Sequence, residues 1–369
     1  MYATKPLSLF KSQPEAAFAP PPDGRNSGYL VVKGAADEET RCCGLLPDRR
    51  VRELPFPQDR VLTVRYTVNS GQNNSSTHKE YVVFIPVADQ PLASNRYYAV
   101  LAKGKHRGLV RACSRESDMT TCCFCRRVRD VPPQPFDPAD IYQQVEIVRR
   151  RRGWFTARAV AADGFPSKIL RHKDWEVYAS KTRKFDLGEA LGLDTAALRS
   201  RQLAVPGVFP AAGARAAVGK WYSPFFLVVE PGVAPLQQME RSVFYEVVLE
   251  QRWEPVHAHA VGVSTLASKR AFIGGSVEAK QEALNSRQGD AYVWFTAAAT
   301  GQWVGVCKSM WERMRWEQYM GGWVDEEEDA GTVAGGSVLV ERFVVKRLDG
   351  SVVVAFDFVH LNKVIGEQL

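Results

Sequence analysis

The chain has 369 residues, 45% of them hydrophobic, and a formal net charge of +7. This apolar content is enough for a sizeable core and excludes an intrinsically disordered chain. No apolar run approaches the roughly 20 residues that cross a bilayer, and the first residues do not form a secretory signal. We therefore expect a protein of the cytoplasm, with the nucleus as the alternative.

The positive charge is concentrated in the first part of the chain. Residues 1–200 carry a net charge of +10, and residues 201–369 carry −3. A basic region of this kind can attract phosphates, anionic lipid or an acidic protein partner.

The first 205 residues divide into two predicted parts. Residues 1–28 are rich in proline and alanine and form a predicted N-terminal arm, packed in an extended form or mobile. Residues 29–205 form a basic, strand-rich region, because short runs of β-branched and aromatic residues alternate with polar turns. The clearest of these runs are Tyr29–Val32, Val61–Val68, Glu80–Val87 and Arg96–Ala102.

The second part of the chain begins after a candidate linker. Residues 206–219, "PGVFPAAGARAAVG", have no hydrophobic period and predict a boundary. Residues 220–369 form a second strand-rich region with a helix near 304–320, where Arg313 and Glu317 are four residues apart on one face.

The C-terminal segment predicts a β-hairpin. Asp349-Gly350 suits a two-residue type I′ turn. That turn would pair Phe343 with Phe356 and place Arg342 opposite Asp357. The predicted fold class is therefore α+β, mainly antiparallel sheet with a few helices and a C-terminal hairpin.

The cysteines suggest a structural metal site. The chain has seven cysteines, an odd number with two adjacent pairs, which favours reduced thiols over a disulfide framework. Cys122 and Cys125 have the C-x-x-C spacing that can hold zinc, and Cys113, His106 or the Cys42-Cys43 pair could complete the ligand set. Packing of the thiols in the core is the competing interpretation. We expect no cofactor, with zinc as the alternative.

Two basic segments are candidate anion sites. Lys103, Lys105, His106 and Arg107 flank glycines after a strand, where backbone amides and cations can hold an anion, although a solvated turn explains them as well. Arg149–Arg152, together with Arg126, Arg127 and Arg129, could contact phosphates or act as a nuclear import signal. Nucleic acid is disfavoured as a partner, because no known nucleic-acid-binding module fits.

Blocks along nearly the whole chain resemble a plant-specific family, domain of unknown function 1262. They include "NSGYLVV", "FIPVADQPLASNRYYAVLAKGKHRGL", "CSRESDMTTCCFC" and "LVERFVVKRLDGS". The resemblance implies a flowering-plant protein associated with stress or pathogen responses. It implies no activity, cofactor or site residue.

Three functional interpretations remain open. The absence of an assembled catalytic motif favours a binding or interaction protein with an unknown protein partner, acting in stress or defence. The second interpretation is an enzyme with a site near Lys103–Cys125, and the third is a membrane-active or carbohydrate-binding defence protein. The oligomeric state is left open.

Overall fold

A computed structural model gives the fold. It describes residues 1–34, 39–41, 46–69, 75–122, 125–181, 185–193, 215–256, 268–275, 277–282, 291–320 and 336–366. These residues are mainly strands with antiparallel pairing, which confirms the strand-rich, mainly antiparallel prediction. The α-helices within them are α1 (Leu7–Ser12), α2 (Lys168–Arg171), α3 (Pro235–Arg241) and α4 (Lys308–Met320). No helix in these ranges is both long and apolar enough to cross a membrane.

Twelve strands, numbered here in chain order, form the larger sheet. Its neighbours pair antiparallel except β1 and β2, which are parallel. In spatial order the strands are β16 (Val228–Val229), β21 (Trp303–Cys307), β20 (Tyr292–Ala297), β19 (Val277–Glu282), β18 (Ser268–Ile273), β23 (Val352–Gly366), β22 (Gly336–Arg347), β17 (Phe244–Val256), β15 (Ala216–Pro224), β1 (Tyr2–Pro6) and β2 (Gly28–Val32), with β14 (Gly192–Leu193) beside β15.

Seven strands form a second sheet from the first part of the chain. In spatial order they are β12 (Phe155–Ala159), β11 (Gln144–Arg149), β8 (Arg96–Leu101), β7 (Ser75–Pro86), β6 (Leu62–Asn69), β13 (Glu176–Ala179) and β5 (Arg50–Val51). Two small hairpins lie outside both sheets, and they are β3 (Glu39–Arg41) with β4 (Leu46–Asp48), and β9 (Met119–Cys122) with β10 (Cys125–Val128).

The seven-stranded sheet is buried on both faces. Val83 and Ile85 of β7 join a core that also contains residues of the twelve-stranded sheet such as Phe343. Val82 and Phe84 point the opposite way, into a second core that α2 covers. Double burial explains why the second half of β7, residues 81–86, is a continuous apolar run rather than an alternating one.

The predicted N-terminal arm and the candidate linker both contribute strands to the larger sheet. Residues 2–6, within the predicted N-terminal arm, form β1 between β15 and β2. Residues 216–219 of the candidate linker form the start of β15, while residues 206–214 lie outside the described ranges. Core residues from before and after the linker belong to the same cluster.

The C-terminal strands β22 and β23 pair in the register that the sequence pattern predicts. The pattern places apolar residues on one face, and a slip of one residue would move all of them to the other face. The pairs are Arg342 with Asp357, Phe343 with Phe356, and Val345 with Val354.

The turn between these strands differs from the predicted type I′ turn. That turn needs positive φ at both Asp349 and Gly350, and within the described turn from Arg347 to Ser351 only Gly350 has it, at 86°. The Arg347 amide donates to the Ser351 carbonyl at 2.8 Å, which closes a three-residue loop. A β-bulge next to the turn restores the predicted register farther along the strands.

Helix α4 is shorter than predicted. It begins at Lys308 rather than near 304, because residues 303–307, "WVGVC", form β21. Their β-branched and aromatic side chains suit a strand. Met310 and Met314 of the helix are fully buried, and Arg313 forms an ion pair with Glu317, which lies on the same face as predicted.

A cluster of ion pairs lies on the twelve-stranded sheet. Asp357, whose side chain is 0% exposed, accepts hydrogen bonds from Arg342 at 2.7 Å and Arg252 at 2.8 Å. Arg270 lies 3.3 Å from the same carboxylate, and Glu254 pairs with both Arg252 and Arg270. These five residues are called the Asp357 cluster below.

Candidate anion-binding site

The predicted anion-binding turn after β8 packs against α3. Gly108 has a φ of 83°, and a Cβ there would lie 2.5 Å from the backbone at the start of α3. Arg107 forms an ion pair with Glu240 of α3 at 2.8 Å. The Lys103 ammonium lies 4.0 Å from the ring centroid of Tyr81. Two of the four predicted cationic groups thus have partners within the protein.

The predicted zinc ligands lie in different settings. His106 is half-buried in that turn, whereas Cys113 is buried in the second core. Burial, followed by the charge of Asp140, raises the pKa of Cys113 to about 12, which disfavours the thiolate that binds metal. Cys122 and Cys125 are backbone partners in the pairing of β9 with β10. Cys42 and Cys43 lie outside the described ranges. Among the described residues no three His, Cys, Asp or Glu side chains form a metal-binding group, and zinc binding stays a prediction.

Two members of the arginine run at 149–152 form ion pairs within the protein. Arg149 pairs with Glu53 at 3.1 Å and Arg150 with Asp174 at 2.8 Å. None of the four lines the cavity that Arg127 and Arg129 line.

Arg127 and Arg129 line a solvent-open cavity of about 410 Å³ between the β9–β10 hairpin and α2. We call it the basic cavity. Its walls carry four cationic side chains and one carboxylate, a net charge of +3. The lining residues are Thr120, Arg127, Val128, Arg129, Asp130, Lys168 and Arg171.

The α2 wall is anchored to the second core. Leu170 is fully buried there, and the Trp175 indole donates to its carbonyl at 2.7 Å. The ring of His172, which follows the helix, stacks on Tyr66 of β6 with centroids 3.9 Å apart. Since Ile169 and Leu170 pack on the second core, α2 presents Lys168 and Arg171 on the cavity side.

The opposite wall is tied to α2 through Asp130. Its carboxylate accepts a hydrogen bond from the Lys168 amide and another from the Arg171 guanidinium, each at 2.8 Å. The buried Ser114 hydroxyl donates to the Arg129 carbonyl at 2.7 Å, which fixes the chain just before Asp130. The walls of the cavity are therefore held together by short polar contacts.

The charge of the cavity is only partly compensated. Asp130 is the partner of Arg171. Arg127, Arg129 and Lys168 are exposed, and no carboxylate of the described ranges pairs with any of them. Guanidinium and ammonium groups placed this way are suited to charge-assisted hydrogen bonds with an anion.

Two other cavities differ in character. One, of about 280 Å³, has several basic side chains on its walls, but its Arg50 pairs with Glu176 and its Arg52 pairs with Asp48. The other, of about 490 Å³, lies beside β1 and is mainly apolar, with Lys5 over the ring of Tyr29. Neither concentrates unpaired positive charge as the basic cavity does.

The sequence analysis identified two of the four cationic residues that line the basic cavity. Arg127 and Arg129 belong to a basic segment whose composition suits contact with phosphates. Lys168 and Arg171 were missed, because only tertiary structure brings them to the hairpin. The one local signal was their helical spacing of three residues, which places them on one face.

Comparison with known proteins identifies a structural neighbour and a matching family model. A solved structure titled "Crystal structure of Cry35Ab1" is 10% identical, with a TM-score of 0.44, and the match covers 84% of this chain and 90% of that chain. No curated protein matches the chain. Residues 23–124 match the family model described as "Protein of unknown function (DUF1262)". This match supports the resemblance to that family for the segment from β2 to the β9–β10 hairpin.

Proposed function

We propose that the protein is a binding protein that recognises an anionic group in the basic cavity. The observation that carries the proposal is the unpaired positive charge of Arg127, Arg129 and Lys168 around one cavity. Arg149 and Arg150, by contrast, are exposed arginines that have acidic partners. Like charges held close together repel each other, and a bound anion relieves that repulsion.

The lining favours binding over catalysis. Asp130 is the one carboxylate among the lining residues and the natural candidate for a general base. It already accepts hydrogen bonds from the Lys168 amide and from Arg171. The cavity therefore offers cations that hold a ligand but no free group that would take a proton from it.

The biological setting is part of the proposal. The resemblance to domain of unknown function 1262 implies a plant protein associated with stress or pathogen responses. A cationic cavity suits a protein that binds an anionic small molecule or an anionic group on a partner during such a response.

Titration with inorganic phosphate, followed by isothermal titration calorimetry on the full chain, tests the proposal. We expect saturable binding that weakens as salt is added, because these exposed charges are screened. Arg129→Gln and Lys168→Gln should each weaken binding roughly 10-fold, the usual effect of losing a hydrogen bond from a charged group.

Arg150→Gln is the matched control, because it removes the same charge from an exposed arginine of the same region. It should leave the affinity unchanged. Absence of saturable binding in the wild type, or equal weakening by Arg150→Gln, would contradict the proposal.

A further inference from the structure

We propose that the basic cavity recognises two linked phosphate groups, a diphosphate, rather than a single small anion. This inference rests on the proposed function and specifies the ligand class of the same site. It draws on three properties of the cavity: its net charge, the spacing of its cations, and its room.

The charge of the cavity exceeds what one phosphate neutralises. Asp130 compensates one of the four cations, which leaves a net charge of +3 on the walls. A phosphate monoester carries about −1.5 to −2 at pH 7, and two linked phosphate groups carry roughly twice as much. A diphosphate therefore matches the cavity more closely than a single phosphate does.

The cations form two pairs on facing walls. Arg127 and Arg129 are two residues apart along the hairpin strand and its continuation, a distance of about 6.6 Å for extended chain. Lys168 and Arg171 are one helical turn apart on α2, with about 5–6 Å between their Cβ atoms. Because Asp130 holds Arg171, the cations left for a ligand are Arg127, Arg129 and Lys168. An elongated anion with two charged groups can contact these three better than one compact anion can.

The cavity has room for such a ligand. Its volume of about 410 Å³ lies in the roughly 300–1,000 Å³ range of small-molecule sites. Because it is open to solvent, a group attached to the diphosphate can extend outward. The guanidinium forks of Arg127 and Arg129 can each form two parallel hydrogen bonds to phosphate oxygens.

Isothermal titration calorimetry with the full chain, at one ionic strength, tests the inference. The ligands are orthophosphate, pyrophosphate, adenosine diphosphate, and citrate as an anion of comparable charge without phosphate oxygens. We expect pyrophosphate to bind at least about 10-fold more tightly than orthophosphate or citrate. Arg127→Gln should remove that preference, and Arg150→Gln should retain it. Thermal melting of each variant verifies that it is folded.

The outcomes separate the two proposals. Equal affinities for orthophosphate and pyrophosphate, or citrate binding as tight as pyrophosphate, would overturn the diphosphate inference and leave the proposed anion binding intact. No binding of any of these anions would overturn both. Adenosine diphosphate that binds as tightly as pyrophosphate would support recognition of the diphosphate alone. Tighter binding would support the diphosphate and indicate further contacts with the adenosine.

Discussion

Two groups of arginine side chains in the described ranges have opposite surroundings. In the Asp357 cluster, three arginines meet two carboxylates, and the central Asp357 is fully buried. In the basic cavity, four cations meet a single carboxylate and the walls are open to solvent. A buried charge must be compensated to be tolerated, whereas an exposed one need not be. The comparison suggests that the first group serves the fold and the second serves a ligand.

The largest effect is expected in the Asp357 cluster. Asp357→Asn should lower the free energy of unfolding by about 3–5 kcal/mol, because it leaves buried arginine charge without its partner. Arg342, which is 11% exposed, loses the most, because Arg252 and Arg270 keep their ion pairs with Glu254. Urea denaturation measures the change.

Asp174→Asn is the control for this prediction. It breaks the ion pair between Arg150 and Asp174, whose side chains are 43% and 37% exposed. The free energy of unfolding should fall by about 0–1 kcal/mol. Equal losses in the two variants would remove the distinction between a stabilising and an exposed arginine group.

The anchor of α2 connects the basic cavity to the core. Leu170→Ala should lower the free energy of unfolding by about 2–5 kcal/mol, since it leaves a hole in the second core. It should also weaken phosphate binding, because the wall carrying Lys168 and Arg171 loses its support. Chemical denaturation and calorimetry on the same sample measure both effects. Unchanged stability would show that Leu170 does not hold the helix.

Acid should distinguish the two regions as well. Burial raises the pKa of Asp357, but hydrogen bonds from Arg342 and Arg252 outweigh it and hold the pKa below its ordinary value. Hydrogen bonds from Arg252 and Arg270 likewise overcome burial and lower the pKa of Glu254. Because these pKa values are depressed by folding, the stabilisation is fully present above the unfolded-state values of about 3.9 and 4.3 and is lost as the pH falls through the folded-state values.

The measurement is the free-energy difference between the wild type and Asp357→Asn at several pH values. We expect it to stay constant from about pH 7 to pH 5 and to shrink below about pH 4. A difference that persists unchanged to about pH 2 would mean that an ionised Asp357 is not the source of the stabilisation.

The smallest stability effect is expected in the basic cavity. The double variant Arg129→Gln/Lys168→Gln should change the free energy of unfolding by no more than about 0.5 kcal/mol, because both side chains are exposed and lack an acidic partner in the described ranges. Urea denaturation without phosphate tests this. A loss above about 1 kcal/mol would indicate that these cations support the fold.

Local signals account for the parts of the fold that the sequence predicted. The register of β22 and β23 follows from a turn and an alternating pattern within one short segment, so Arg342 and Asp357 could be paired in advance. The other two arginines that reach Asp357 come from β17 and β18, which no local pattern brings beside it. The turn type was wrong because Asp-Gly also suits a three-residue loop with glycine in the left-handed region.

The candidate site shows the same limit. Arg127 and Arg129 stand in a basic segment visible in the sequence. Arg149 and Arg150 stand in a basic segment as well, but they pair with Glu53 and Asp174. These two carboxylates are distant in sequence, so the sequence does not show which arginines are compensated. Compensation of charge is a property of tertiary structure, and composition alone does not reveal it.

The position of β1 has a consequence for how the chain folds. β1 joins the twelve-stranded sheet by pairing with β15, so that Tyr2 lies opposite Tyr222, and its other neighbour is β2. During synthesis, more than half of the chain must be made before β15 is available to pair with β1. Pairings of such long sequence separation slow folding and leave strand edges exposed meanwhile. We therefore expect cotranslational folding to complete the seven-stranded sheet before the larger one, with the early strands in need of protection by chaperones.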